Sequence, residues 1–160
     1  MPILLVIAGV TGNCAIAGYE DWLALNDFSW GGTRGTLQQR TAENRSISTL
    51  AVAPQLRAIK LSRESDDLTP DLWTLMLSMS KKWMEVIWLR TGTDGPTPYL
   101  KLTLENALIT SMGEAAEGGS PVETITITYE KLTLTVINVG NDFGGAQDVV
   151  TYDLPGARRA

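Results

Sequence analysis

Apolar residues fall on alternate positions through much of the chain, and in one run the alternation changes sides. In VETITITYEKLTLTVI, residues 122–137, Ile125, Ile127 and Tyr129 are at odd positions, while Leu132, Leu134 and Val136 are at even ones. The threonines move with them, from Thr126 and Thr128 to Thr133 and Thr135. A strand has a side-chain period of two, so such a swap exchanges its buried and exposed faces. A hairpin at Glu130–Lys131 is one explanation, but that pair is poor turn chemistry. A β-bulge explains it better, because one inserted residue shifts both faces together and bends the strand. Bulges of this kind let a sheet curl into a barrel.

The same pattern predicts the other elements. Ile3 to Val10 is apolar on both faces, as expected of a strand covered on both sides. WLALNDFSW, residues 22–30, is a second strand ended by Gly31 and Gly32. A long connection, 33–54, has few apolar residues before ISTLAVAP, which can pair as an edge segment ending at Pro54. IKLSR, 59–63, is a short strand. Thr69 as cap, Pro70 in the first turn and Leu72, Leu75, Met76 and Met79 at helical spacing predict one helix over about 69–79. Lys81 and Lys82 suit its C-terminal end. WMEVIWLRT (83–91), PYLKLTLENALITS (98–111) and DVVTYDL complete the strands. TDG at 93–95 is a turn, and 113–121 and 140–145 are loops. The expected fold is mainly β, a single domain over 1–160: a small antiparallel β-barrel with one flanking α-helix. Trp83, Ile87 and Leu89 lie on one side of their strand, and Met84, Val86 and Trp88 on the other. A small barrel has one inside, so the surplus apolar surface is expected to meet other chains.

Composition narrows the function classes. The 160 residues carry 44% hydrophobic and 19% charged residues, a globular balance. Net charge is −5 and the basic residues are dispersed, which argues against a nucleic-acid partner. No stretch of ~18 apolar residues is present, so no membrane insertion by a helix is expected. ILLVIAGV before Cys14 superficially resembles an export signal, but no Lys or Arg precedes it and the run is short. It is read as the first strand, and synthesis in the cytoplasm without a conventional export signal is expected. Cys14, the lone cysteine, is read as a small buried hydrophobe.

The chemistry of catalysis is sparse. With no histidine, Ser-His and Cys-His pairs are excluded. Glu64, Asp66, Asp67 and Asp71 form the best candidate for a metal or acid–base site, with a solvated helix approach as the plainer reading. GNDFGGAQD lacks the ligand spacing of a calcium loop. No enzymatic role and no cofactor or metal are expected.

Several segments together resemble the hemolysin-coregulated protein (Hcp) family, the tube subunit of type VI secretion systems. GYEDWLALNDFSWG (18–31) is similar to the family's second-strand segment. IKLSRESDDLTPDL (59–72) is similar to its strand–acid–Ser/Thr-Pro-x-Leu signature. YLKLTLENALITS (99–111) and PVETITITYEKLTL (121–134) are similar to two later segments, the last with the same face shift after an aromatic. Gly9 and Gly12 are near the family's early glycines. The glycine usual after the family's helix is absent, with Ser80-Lys81-Lys82 in its place.

The resemblance implies hexameric rings that stack into a hollow tube, which a contractile sheath expels with a spike protein at its tip. Some members carry effectors in the lumen. The implied partners are therefore further copies of the chain, spike, sheath and lumenal effectors, and the protein would be secreted through the apparatus without a signal peptide. By position, the 22–30 strand matches an inner-wall strand. That would turn Asp27 and Ser29 to the lumen and Phe28 and Trp30 to the core. Arg40, Glu43, Asn44 and Arg45 are the candidates for stacking ring on ring. The alternatives are a tail-tube protein of a phage-like contractile particle, a small-ligand-binding β-barrel, or a hydrolase using carboxylates.

Overall fold

A computed structural model describes residues 2–34, 36–40, 47–51, 55–92, 95–137, 147–153 and 158–159. The strands are β1 (Ile3–Ile7), β2 (Leu23–Leu25), β3 (Asp27–Ser29), β4 (Gly32–Thr33), β5 (Thr36–Arg40), β6 (Ile47–Ala51), β7 (Gln55–Leu56) and β8 (Ile59–Glu64). After helix α1 (Thr69–Ser78) come β9 (Lys82–Gly92), β10 (Gly95–Ala115), β11 (Val122–Thr128), β12 (Lys131–Ile137), β13 (Gln147–Asp153) and β14 (Arg158–Arg159). Ten strands form one curled, antiparallel sheet, and β4–β7 and β5–β6 form two small ones. Among the described residues, no helix is long and apolar enough to cross a membrane.

The long strand β10 organises the sheet. Along one edge it pairs with β9, and β9 pairs in turn with β1. Along the other edge its first half pairs with β12 and its second half with β11. The face swap of residues 122–137 is therefore not a hairpin, since β11 and β12 follow one another along the same neighbour. The paired registers stop at Glu105↔Lys131 and resume at Leu108↔Thr128, leaving two residues unpaired on each side. Against β9, the interval between the Leu104 and Ala107 pairings holds two residues on β10 and Trp83 alone on β9. The expected extra residue is thus real, and both β10 and the β11–β12 segment carry it. β10 itself changes parity there, from Leu102 and Leu104 buried to Ala107 and Ile109 buried. Asn106 takes φ 52, and its side chain donates to Glu130.

The segment predicted as one strand over 22–30 is split. β2 pairs with β1 and β3 pairs with β8, and at the corner Asn26 N–H donates to the Ser62 carbonyl at 2.8 Å. The sheet is not closed by hydrogen bonds. Two of its three ends, β2 and β3, are joined through Asn26.

The main core lies inside the curl, with Leu5, Ile7, Val86, Leu102, Ile125 and Ile127 among its wholly or nearly wholly buried members. Leu72 of α1 joins this cluster, so the helix closes the core instead of covering an outer patch. The outer faces of β1 and β9 are also covered, but not by another chain. Leu4, Ile87 and Leu89 pack with Cys14, Ile16, Tyr19 and Trp22 of the segment joining β1 to β2. That segment folds back because Gly12 and Cys14 N–H groups donate to the carbonyls of Asp21 and Trp22. The surplus apolar faces therefore serve the chain's own packing in large part. Leu77, Met79, Trp83 and Val136 remain exposed.

The helix departs from expectation at both ends. Leu68, not Thr69, is the first flanking residue, and no side chain caps the free N–H groups. Thr69 Oγ1 instead accepts from the Asp66 N–H. The last turn holds no basic residue. Lys82 opens β9, and Lys81 pairs with Glu130 at 2.7 Å. The connection 33–54 contains a strand pair, β5–β6, where an edge pairing of the second half alone was expected.

Candidate inner-wall surface

β3, β8 and β11 adjoin, with Asp27 opposite Ser62, Ser29 opposite Lys60, and Ser62 opposite Thr124. Their apolar residues point inward: Ile59, Leu61, Ile125 and Ile127 are buried, and Phe28 packs on the core with its ring edge-on to Trp88 at 4.7 Å. Period-two alternation then leaves short polar groups outside. Asp27, Ser29, Lys60 and Thr124 are exposed and Ser62 is half-buried. With Phe28 and Leu61 they line a shallow, largely apolar depression of about 250 Å³.

Asp27 and Ser29 thus stand together on one exposed face, with Phe28 and Trp30 on the core side. Lys60, Ser62 and Thr124 share that face and were missed. The signal was present, since they are the polar positions of alternating runs whose apolar positions marked the core. Trp30 is fixed by a 2.8 Å hydrogen bond from its Nε1 to the Tyr129 hydroxyl, which itself donates to the Arg57 carbonyl at 3.0 Å. This pins the chain just after β3 to the chain just before β8. Of the stacking candidates, Arg40 ends β5 and its pairing with Ile47 places its backbone at the far end of the β5–β6 ladder. Glu43, Asn44 and Arg45 lie outside the described residues.

The acidic stretch 64–71 resolves into separate roles. Arg63 is buried, faces the core side of β8 and is directly opposite Glu123 of β11, which is wholly buried. Its Nη1 donates to Glu123 Oε1 and its Nη2 to Asp66 Oδ2. Asp66 also accepts from Asn13 Nδ2 at 3.0 Å and from the Leu68 N–H at 2.9 Å. Burial works to raise the Asp66 pKa, but these donors outweigh it and hold the carboxyl below its ordinary value. Asp67 accepts weakly from Asn13, and Glu64 and Asp71 are exposed. Among the described residues no three Asp, Glu, Cys or His side chains are grouped to hold a metal. The sequence signal missed here was parity: Arg63 and Glu123 occupy the apolar positions of their strands.

Comparison with known proteins places this fold. The family model described as "Type VI secretion system effector, Hcp" matches residues 4–136. No curated protein sequence matches the chain. Among solved structures, a type six secretion system protein superposes with a TM-score of 0.81 at 14% identity, covering 99% of each chain. Hcp1 from Salmonella typhimurium gives 0.76 at 13% identity, covering 99% of this chain and 98% of that one. A type VI secretion system effector from Yersinia pestis gives 0.72 at 16% identity, covering 94% and 98%.

Proposed function

The chain belongs to the Hcp family and is a tube subunit of a type VI secretion system, a family that self-assembles into rings, and on that premise we propose how its surfaces are used. The chain acts as one domain over 1–160, forms hexameric rings, and stacks them into a tube. The face of β3, β8 and β11 lines the lumen, with Asp27 and Ser29 on its edge strand β3. The observation that carries this reading is the contrast between the exposed Asp27, Ser29, Lys60 and Thr124 on that face and the large apolar groups left exposed elsewhere. A wall of Ser, Thr and single charges offers cargo few buried anchors, so effectors bind weakly and leave readily.

The polar and charged group Arg40, Glu43, Asn44 and Arg45 mediates stacking between rings. Spike and sheath are the remaining partners, and the protein leaves through the apparatus without a signal peptide. Its work is assembly, not turnover of a substrate.

Light scattering and electron microscopy of the purified chain test the ring, with six-fold particles expected and a monomer contradicting it. Ser29→Cys tests the wall. Cys14 is buried, so labelling reports position 29. A small maleimide is expected to react in assembled rings and a long polyethylene-glycol maleimide to be slowed several-fold. Equal rates for both reagents would put Ser29 outside the tube.

A further inference from the structure

Across β8, β11 and β10, three charged residues stand in one row: Arg63 opposite Glu123, and Glu123 opposite Glu114. Like charges directly opposite each other on paired strands are unfavourable. Glu123 is wholly buried with Oε1 paired to Arg63, while its Oε2 has no hydrogen-bond donor and the Arg63 Nε–H no acceptor. An ionised carboxylate left so in the interior is costly. Glu114 is at the exposed rim, within hydrogen-bonding reach of Glu123. Its own oxygens accept from Ser65 Oγ at 2.5 Å and from Trp73 Nε1 of α1 at 3.0 Å. A proton on Glu123 Oε2 removes both problems, because the orphaned acceptor becomes a donor to Glu114.

We propose that Glu123 keeps a proton on Oε2, shared with Glu114, into the pH range where ordinary glutamates have lost theirs, and that losing it loosens α1 and the end of β10. Glu114 couples the two. When Glu123 ionises, Glu114 is repelled toward solvent and releases Trp73. The other charged groups facing the pair are Arg63 of β8, which holds Glu123 Oε1, and Asp66 after it, which shares that guanidinium. From α1 the facing group is the neutral Trp73 indole.

The directions agree with this geometry. Burial pushes Glu123 above the usual carboxylate range, against the pull of Arg63, and Glu114 pushes it further. Burial would raise Glu114 too, but donors from Ser65, Trp73 and Glu123 hold it low. A group raised on folding stabilises most at low pH, and that contribution is lost as pH rises through its folded value. The lowered Glu114 and Asp66 contribute above their unfolded values and lose that contribution as pH falls. Stability therefore declines on both sides, and Glu123 governs the alkaline side.

The experiment follows unfolding of the full chain at fixed concentration from about pH 5 to about pH 9, beside Glu123→Gln. The Gln amide donates to Glu114 permanently, and its oxygen still accepts from Arg63. The wild-type folding constant should fall by up to about tenfold per pH unit as pH rises from the ordinary glutamate range toward the folded-state value of Glu123, and level off beyond it with faster amide exchange in α1. The variant should lose that slope. An equal slope in both, or no slope in the wild type, overturns the proposal. Should the variant fail to fold, infrared spectra of the wild type at about pH 6 decide it, where an ordinary glutamate is ionised. A protonated carboxyl band supports the shared proton, and its absence overturns it.

Discussion

Met79 carries φ 53 just after α1, where its N–H and that of Ser80 close the helix on the carbonyls of Met76 and Leu75. A β-carbon in the left-handed region costs roughly 1 kcal/mol, which is why glycine is usual at this position. The side chain is 70% exposed, so little packing offsets the strain. Met79→Gly is therefore expected to stabilise the fold by about 0.5–1 kcal/mol, read as a higher urea midpoint at unchanged slope. Residue chemistry of this kind was partly legible in the sequence. The missing glycine was visible, while the exact site of the strain was not, because helix ends move with local hydrogen bonding. Arg63 and Glu123 show the opposite case. Their parity placed them inside, but only the register of β8 against β11 shows that they face each other. No periodicity encodes which strands become neighbours.

At the scale of elements, the joining segment between β1 and β2 determines whether the outer face of the sheet is wet. It closes at Gly12, whose N–H donates to Asp21 at 2.8 Å and whose α-carbon stands against the Trp22 carbonyl. A β-carbon at that position would run into that carbonyl and its neighbours, all of them backbone. Gly12→Ala should therefore lift the segment and destabilise the fold by about 1–3 kcal/mol, with increased quenching of Trp22 fluorescence by iodide as the local readout. Ile3 to Val10 reads as a strand covered on both sides, which holds over Ile3–Ile7 but not at the exposed Ala8 and Gly9, and the surplus face of 83–89 was expected to meet other chains. What covers both runs was misassigned, since Ile16, Tyr19 and Trp22 are spaced without a clear period and give no sign of where they dock. β5 was missed for a related reason: TLQQR offers one apolar residue, and its partner β6 supplies the pairing from elsewhere in the chain. The mainly β class, the helix and the face swap were legible because each rests on a local pattern, whereas the incomplete closure of the sheet was not.

For the whole molecule, net charge and surface distribution bear on assembly. Copies with a net charge of −5 repel one another at long range, so contacts between rings depend on local pairing of opposite charges. If Arg40, Glu43, Asn44 and Arg45 stack one ring on the next, raising salt from about 0.05 to about 0.5 M should shorten tubes while rings persist. Exposed pairs are screened within a Debye length, and buried apolar contacts are not. Sedimentation of tubes and rings across that range measures both. The corner at Glu105–Asn106 and Tyr129–Glu130 has a different consequence. Because β10 and the β11–β12 segment carry the same additional residue at one level, neither can lose it alone. Removing one residue from only one of these segments would turn everything beyond it inside out, exposing Ala107 and Ile109 or Leu132. Length changes at this bend are tolerated only in matched pairs, so related chains should lengthen or shorten both together there, or neither.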